Sequence, residues 1–158
     1  MENRILYLDD EETECARMRA ILEKSFPEHP LDVCRTPQEA IECIRANRYS
    51  LFLLDIEIEG TGITGIHLAE QIRQTRIYLN TPIIFISNHR HLRGRVLQRI
   101  CSYDFLVKPY SEAELVSSVG EALGIPEYLK RKYDQAQNIQ FKIGNVVCRY
   151  NVNEIACI

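Results

Sequence analysis

Five short apolar runs punctuate the chain: Ile5–Leu8, Leu31–Cys34, Leu51–Leu54, Ile83–Ile86 and Phe105–Val107. Each is nearly continuous rather than alternating, the pattern of parallel strands covered on both faces. Between the runs, apolar positions recur at helical spacing: Cys15, Met18 and Leu22, then Ala40, Ile41 and Ile44. Ile66, Ala69 and Ile72 follow, and finally Leu115, Val119 and Leu123. Pro37 suits a first helical turn, where its missing N–H costs no hydrogen bond, and Ser111 with Glu114 reads as a capping box. The segment His91–Arg99 gives the weakest helix, because Gly94 lies inside it. This alternation predicts an α/β domain built on a doubly wound parallel sheet, with ligands outside the carboxyl ends of the strands.

After Leu123 the pattern changes. Gly124–Pro126 closes the last helix, and residues 125–137 read as a polar linker. Ile139–Ile143 and Val146–Tyr150 flank Gly144–Asn145, a hairpin signal, and Ile155–Ile158 reads as the opening of another strand. So few strands cannot bury a core of their own. The expectation is a first domain over residues 1–124 and the truncated beginning of a second over 138–158.

Charge divides along the same line. Residues 1–124 carry 14 Lys/Arg against 19 Asp/Glu, and residues 125–158 carry 5 against 3. The acidic first part argues against nucleic acid as its partner and leaves the second part open. Cys15, Cys34, Cys43, Cys101, Cys148 and Cys157 form no CxxC pair and are expected as reduced core thiols of a cytoplasmic protein. Asp9-Asp10-Glu11-Glu12 arrives before any signal-peptide core could form, and the apolar runs are too short to span a membrane.

Parallel strands would bring candidate chemistry to one edge. Asp9 and Asp10 follow strand 1, Asp55 ends strand 3, Ser87 ends strand 4 and Lys108 ends strand 5. Three clustered carboxylates repel unless a divalent cation joins them, and hard oxygen donors suit Mg²⁺. Asp55 could then attack a phosphoryl group as nucleophile, while Ser87 and Lys108 hold its oxygens. Taken singly, each residue has a plainer reading: Asp9, Asp10 and Ser87 as helix caps, Asp55 as a loop acid, Lys108 as a solvated strand end. Their joint placement favours a phosphoryl site. His29, His67, His89 and His91 lack metal-ligand spacing, although His89 could border the site. Arg90, Arg93, Arg95 and Arg99 form either a solvated helix face or a surface for a dimer mate or acidic partner.

Ile5-Leu-Tyr-Leu-Asp-Asp-Glu-Glu12, Leu53-Leu-Asp-Ile56, Ile83-Ile-Phe-Ile-Ser87 and Asp104-Phe-Leu-Val-Lys-Pro109 together resemble a response-regulator receiver domain over residues 3–123. The resemblance implies a flavodoxin/CheY-like sheet of strand order 2-1-3-4-5. It implies Mg²⁺ held by Asp9, Asp10, Asp55 and the backbone carbonyl of Glu57, with Asp55 phosphorylated by a sensor histidine kinase. Ser87 and Lys108 would contact the phosphoryl group, Ser87 and Phe105 would act in the switch, and Lys108–Pro109 would be cis. Such a domain is a phosphoacceptor and not an enzyme in the turnover sense, and phosphorylation would promote homodimerisation. Phe141-Lys-Ile-Gly-Asn-Val-Val with Asn153-Glu-Ile-Ala-Cys-Ile158 resembles the start of a LytTR-type DNA-binding domain of a transcription regulator. DNA binding would need that whole domain.

Two departures from the family pattern stand out. The glycine that follows the phosphorylated acid falls at Gly65, ten residues on, which implies a loop two residues longer. Asn88 replaces a small residue beside Ser87 and is expected to slow entry of phosphodonor or water. Two other readings stay open: a phosphorylation-independent pseudo-receiver, and a haloacid-dehalogenase-like phosphohydrolase using Asp55 and Glu57. The latter lacks a second acidic pair after the lysine. A flavodoxin-like FMN binder lacks a phosphate-cradling loop after strand 1.

Overall fold

A computed structural model describes residues 3–60, 64–125, 128, 138–143 and 146–151. Strands β1 (Arg4–Leu8), β2 (Leu31–Cys34), β3 (Tyr49–Asp55), β4 (Ile83–Ser87) and β5 (Asp104–Val107) form one parallel sheet in the order β2-β1-β3-β4-β5. Helices α1 (Glu12–Ser25), α2 (Pro37–Ala46), α3 (Gly65–Gln74), α4 (Arg93–Ile100) and α5 (Glu112–Ala122) link and follow them. Each apolar run of the sequence is therefore a strand, with β3 extended at both ends.

The near-continuous apolar runs supply two cores because successive strand residues face opposite sides of the sheet. Leu6, Leu8, Phe52, Leu54 and Phe85 pack with Ala40, Leu68, Ile72 and Val96. Ile5, Tyr7, Leu51, Leu53, Ile84 and Ile86 pack on the other face with Met18, Leu22, Leu115 and Val119. Thus α2, α3 and α4 cover one face, and α1 and α5 the other.

The helix ends follow local chemistry. Thr36 caps α2 by accepting from the Glu39 amide, with Pro37 in the first turn. Ser111 and Glu114 form the capping box of α5, as the sequence indicates. A second box, Thr64 with His67, starts α3. The segment after β4 is a single 3₁₀ turn, Arg90–Leu92, before the eight-residue α4.

The expectation of core cysteines needs adjustment. Cys15 and Cys34 are buried, but Cys43 is half-buried and Cys101 is exposed. Cys101 ends α4 with φ of 52°, a left-handed position that turns it away from the core. Within the stretch read as linker, Ile125 and Tyr128 pack against the α1/α5 core, and the Tyr128 ring lies 6.0 Å from that of Phe26. Arg99, largely exposed, bonds Glu70 at 2.7 Å.

Beyond the sheet, β6 (Asn138–Ile143) and β7 (Val146–Asn151) pair antiparallel. The turn at Gly144–Asn145, the expected strand at Ile155–Ile158 and most of 125–137 lie outside the described residues. Among the described residues, no helix is long and apolar enough to cross a membrane.

Candidate phosphoacceptor site

Strand register assembles the site. Leu8 pairs with Leu54, so Asp9 and Asp55 emerge side by side, one residue later on each strand. Asp55 pairs with Ile86 and Ser87 with Val107, which carries Lys108 to the same edge. Asp9, Asp10 and Asp55 each offer a carboxylate oxygen within 4.8 Å of the others, the group of this kind found among the described residues. Asp9 and Asp55 are buried, whereas Asp10 is half-buried at the rim. They line a depression of about 640 Å³ together with Glu11, Glu57, Ile58, Glu59, Thr64, Asn88 and Lys108.

Protein donors hold each carboxylate. Lys108 Nζ donates to Asp55 Oδ2 at 2.7 Å and to Asp9 Oδ2 at 3.1 Å, while the Glu57 amide donates to Asp55 Oδ1 at 2.9 Å. The Glu11 amide donates to Asp9 Oδ1 and the Glu59 amide to Asp10 Oδ2. Asp9 is therefore no side-chain cap of α1; its Oδ1 closes a turn just before the helix. The Lys108–Pro109 peptide bond is cis.

Three carboxylates against one ammonium leave the cluster short of positive charge. Burial is the main cause pushing the Asp55 carboxyl up to about 6; the bonds from Lys108 and the Glu57 amide oppose it. Burial works against the Lys108 ammonium, yet Asp55 and Asp9 outweigh it and hold its pKa above the ordinary lysine value. This donor set fits a small divalent cation: the oxygens are hard, close and under-compensated.

The sign of the Asp55 shift sets a pH dependence. The folded state binds this proton more tightly than the unfolded chain, so stability falls as pH rises from about 4 through about 6. Asp55→Asn should therefore stabilise the metal-free protein by about 2–3 kcal/mol above that window and by almost nothing below it. Urea unfolding in EDTA across this range reads the difference; a destabilised variant at neutral pH would contradict it.

Ser87 ends β4 fully buried, and its Oγ accepts from the His89 amide at 3.0 Å, leaving exposed Asn88 to line the depression. His89 borders the site as suspected, because its ring meets the Glu57 carboxylate. Phe105 is buried in the same core cluster as Val96 and Ile100. Gly65 matters through close approach: a Cβ there would sit 1.9 Å from the Asp55 carbonyl oxygen. Sequence reasoning missed Tyr7, whose hydroxyl donates to Asp9 Oδ2 at 2.7 Å. The available signal was a phenol within an aliphatic strand, two residues before an acid and so on its face. It also missed Arg73, whose guanidinium donates to the carbonyls of Tyr78, Thr81 and Ile100.

Comparison with known proteins agrees with this geometry. The nitrogen assimilation regulatory protein NtrX of Azorhizobium caulinodans is 30% identical over 124 residues, covering 78% of this chain and 26% of that protein. The transcriptional regulatory protein YvrH of Bacillus subtilis is 29% identical over 143 residues, covering 87% and 54%. The chain thus spans about a quarter to a half of the length of these curated relatives. The crystal structure of the response regulator protein TrrA of Thermotoga maritima, in complex with Mg²⁺–BeF, superposes with a TM-score of 0.66 at 26% identity. That match covers 76% of this chain and 98% of TrrA. Residues 5–120 match the response regulator receiver domain family. With the sheet order agreeing, this chain belongs to the response regulator receiver domain family.

Proposed function

We propose that this chain is a phosphoacceptor switch in which Asp55 takes a phosphoryl group from a sensor histidine kinase. The observation that carries the reading is the buried Asp9–Asp55 pair bridged by Lys108 at 3.1 and 2.7 Å. An Asp55 oxygen attacks phosphorus in line as the bond from phosphorus to the kinase histidine nitrogen breaks. Asp9, Asp10, Asp55 and the Glu57 carbonyl are the proposed holders of Mg²⁺, which supplies charge neutralisation for the incoming phosphoryl oxygens. Lys108 moves from carboxylate to phosphoryl oxygen, and Ser87, whose Oγ accepts from the His89 amide, donates its hydroxyl hydrogen to another. Phe105, buried beneath α4, is the proposed aromatic of the switch, and phosphorylation favours a homodimer.

The acceptor is modified rather than turning over substrate, and its place is the cytoplasm. The receiver unit spans residues 1–124 and the linker 125–137. Residues 138–158 are assigned as the opening of a LytTR-type DNA-binding domain; antiparallel pairing of β6 and β7 supports that reading. DNA binding then belongs to the complete second domain of a transcription regulator.

Phos-tag mobility after incubation with acetyl phosphate tests the switch. Wild type should shift with Mg²⁺ and not with EDTA, and Asp55→Ala should not shift at all. If wild type stays unshifted with both acetyl phosphate and a histidine kinase, the phosphorylation-independent reading takes over.

A further inference from the structure

Tyr7 lies in the middle of the sheet on β1, fully buried, in the core beneath α1 and α5. A buried phenol needs a hydrogen-bond partner, and most such partners are structural. Here the partner is Asp9 Oδ2 at 2.7 Å, an oxygen of the acidic cluster. The contact follows from strand geometry. Tyr7 and Asp9 share a face and lie about 6.6 Å apart along the strand, a gap the length of a phenol can bridge.

Asp9 accepts three protein bonds through its carboxylate: the Glu11 amide on Oδ1, and Tyr7 and Lys108 on Oδ2. These donors differ in permanence. Lys108 Nζ is shared with Asp55 at 2.7 Å and sits on a flexible chain, so it can leave for another anion. The phenol turns on two side-chain torsions and is locked by close packing, with no exposed surface. Once the ammonium moves away, Tyr7 remains the side-chain donor that fixes which lone pairs of Asp9 face the cluster.

We propose that Tyr7 is a positioning residue of the acidic site, its buried hydroxyl orienting the Asp9 carboxylate and thereby setting the affinity for a divalent cation. The inference rests on the reading of Asp9, Asp10 and Asp55 as a Mg²⁺ site. Hydrogen-bonded supports of metal-binding carboxylates commonly change affinity by about 10- to 100-fold when removed.

The protein contains its own control. Tyr49, at the start of β3, donates to Asp32 Oδ2 at the same 2.7 Å, on the same sheet. Tyr49 pairs with Arg4 at the opening of β1, so this phenol–carboxylate bond lies at the opposite end of the strands from Asp9. Tyr7→Phe and Tyr49→Phe delete equivalent groups, one at the site and one far from it.

Mg²⁺ titration calorimetry on the full chain and both variants makes the test. Tyr7→Phe should weaken Mg²⁺ binding about tenfold, with Tyr49→Phe unchanged. Phosphorylation of Tyr7→Phe by acetyl phosphate should return to the wild-type rate at saturating Mg²⁺, since affinity rather than chemistry is altered. In wild type, the Tyr7 Cζ NMR resonance should shift as Mg²⁺ is added while that of Tyr49 stays still, a readout that needs no variant to fold. Equal affinity in all three proteins, equal loss in both variants, or a stationary Tyr7 resonance overturns the inference and leaves the metal site standing. Wild type that binds no Mg²⁺ overturns the site and the inference together.

Discussion

Gly65→Ala is expected to destabilise the protein by about 3 kcal/mol and to slow phosphorylation of Asp55 by about 100-fold. The added methyl carbon would lie 1.9 Å from the Asp55 carbonyl oxygen, 2.9 Å from its carbonyl carbon and 3.2 Å from Ile56 Cα. These are backbone atoms, so no side chain can swing aside. The Gly65 amide also donates to the Ile56 carbonyl at 3.0 Å, which draws the start of α3 against the end of β3. Either α3 retreats and that bond breaks, or the backbone beneath Asp55 moves. Misplacing a reacting group by about 1 Å can cost two orders of magnitude in rate, which sets the expected kinetic loss. Urea unfolding and the acetyl phosphate reaction read the two effects separately. A variant of wild-type stability and rate would show that the glycine is not needed for close approach.

Lys108→Met should cost about 3–5 kcal/mol near neutral pH in the absence of divalent ions. Methionine keeps much of the apolar stem but removes the side-chain cation bonded to both Asp9 and Asp55. The two buried carboxylates then face each other without a countercharge, on strands whose register cannot separate them. The sign follows from proton uptake. Folding would bind a proton at Asp55 more tightly than the unfolded chain does, so the variant should lose stability as pH rises from acid to neutral. The deficit should shrink towards about pH 4, where protonation relieves the repulsion. Millimolar Mg²⁺ should raise the melting temperature of the variant by more than that of wild type, because the cation meets a more negative site. A deficit independent of both pH and Mg²⁺ would mean that lost packing, not charge, is what Lys108 contributes.

Lys108→Met and Asp55→Asn follow one electrostatic rule. Removing a negative charge from an over-acidic cluster stabilises, removing its positive charge destabilises, and supplying a divalent cation lessens both effects. The strain falls on Asp55, which is only 5% exposed and whose carboxyl is pushed up to about 6. Such tension is what a site shows when it is built to receive something absent from its own side chains.

Much of this was legible along the chain because the signals are local. Continuous apolar runs such as Leu51–Leu54 announce strands covered on both faces, and Val119 and Leu123 mark a helix stripe. Pro37 and the Ser111–Glu114 pair mark helix starts, since capping depends on neighbours three residues apart. That each acid, the serine and the lysine follow a strand end can be read directly, and parallel strands then send them to one edge.

What the sequence left to the tertiary structure was everything lateral. Leu8 opposite Leu54, the pairing that makes Asp9 and Asp55 neighbours, arises from two sheet faces packing at once, which no single strand encodes. Only that packing buries Tyr7 beneath α1 and α5 and brings Gly65 against the Asp55 backbone. The same holds where expectation and structure part. Cys101 turns outward at a left-handed helix end. The sequence by itself determined which groups reach the carboxyl edge, because strand period and helix capping act over a few residues. The folded chain decided which of them touch, because those distances depend on the register and close packing of segments far apart in sequence.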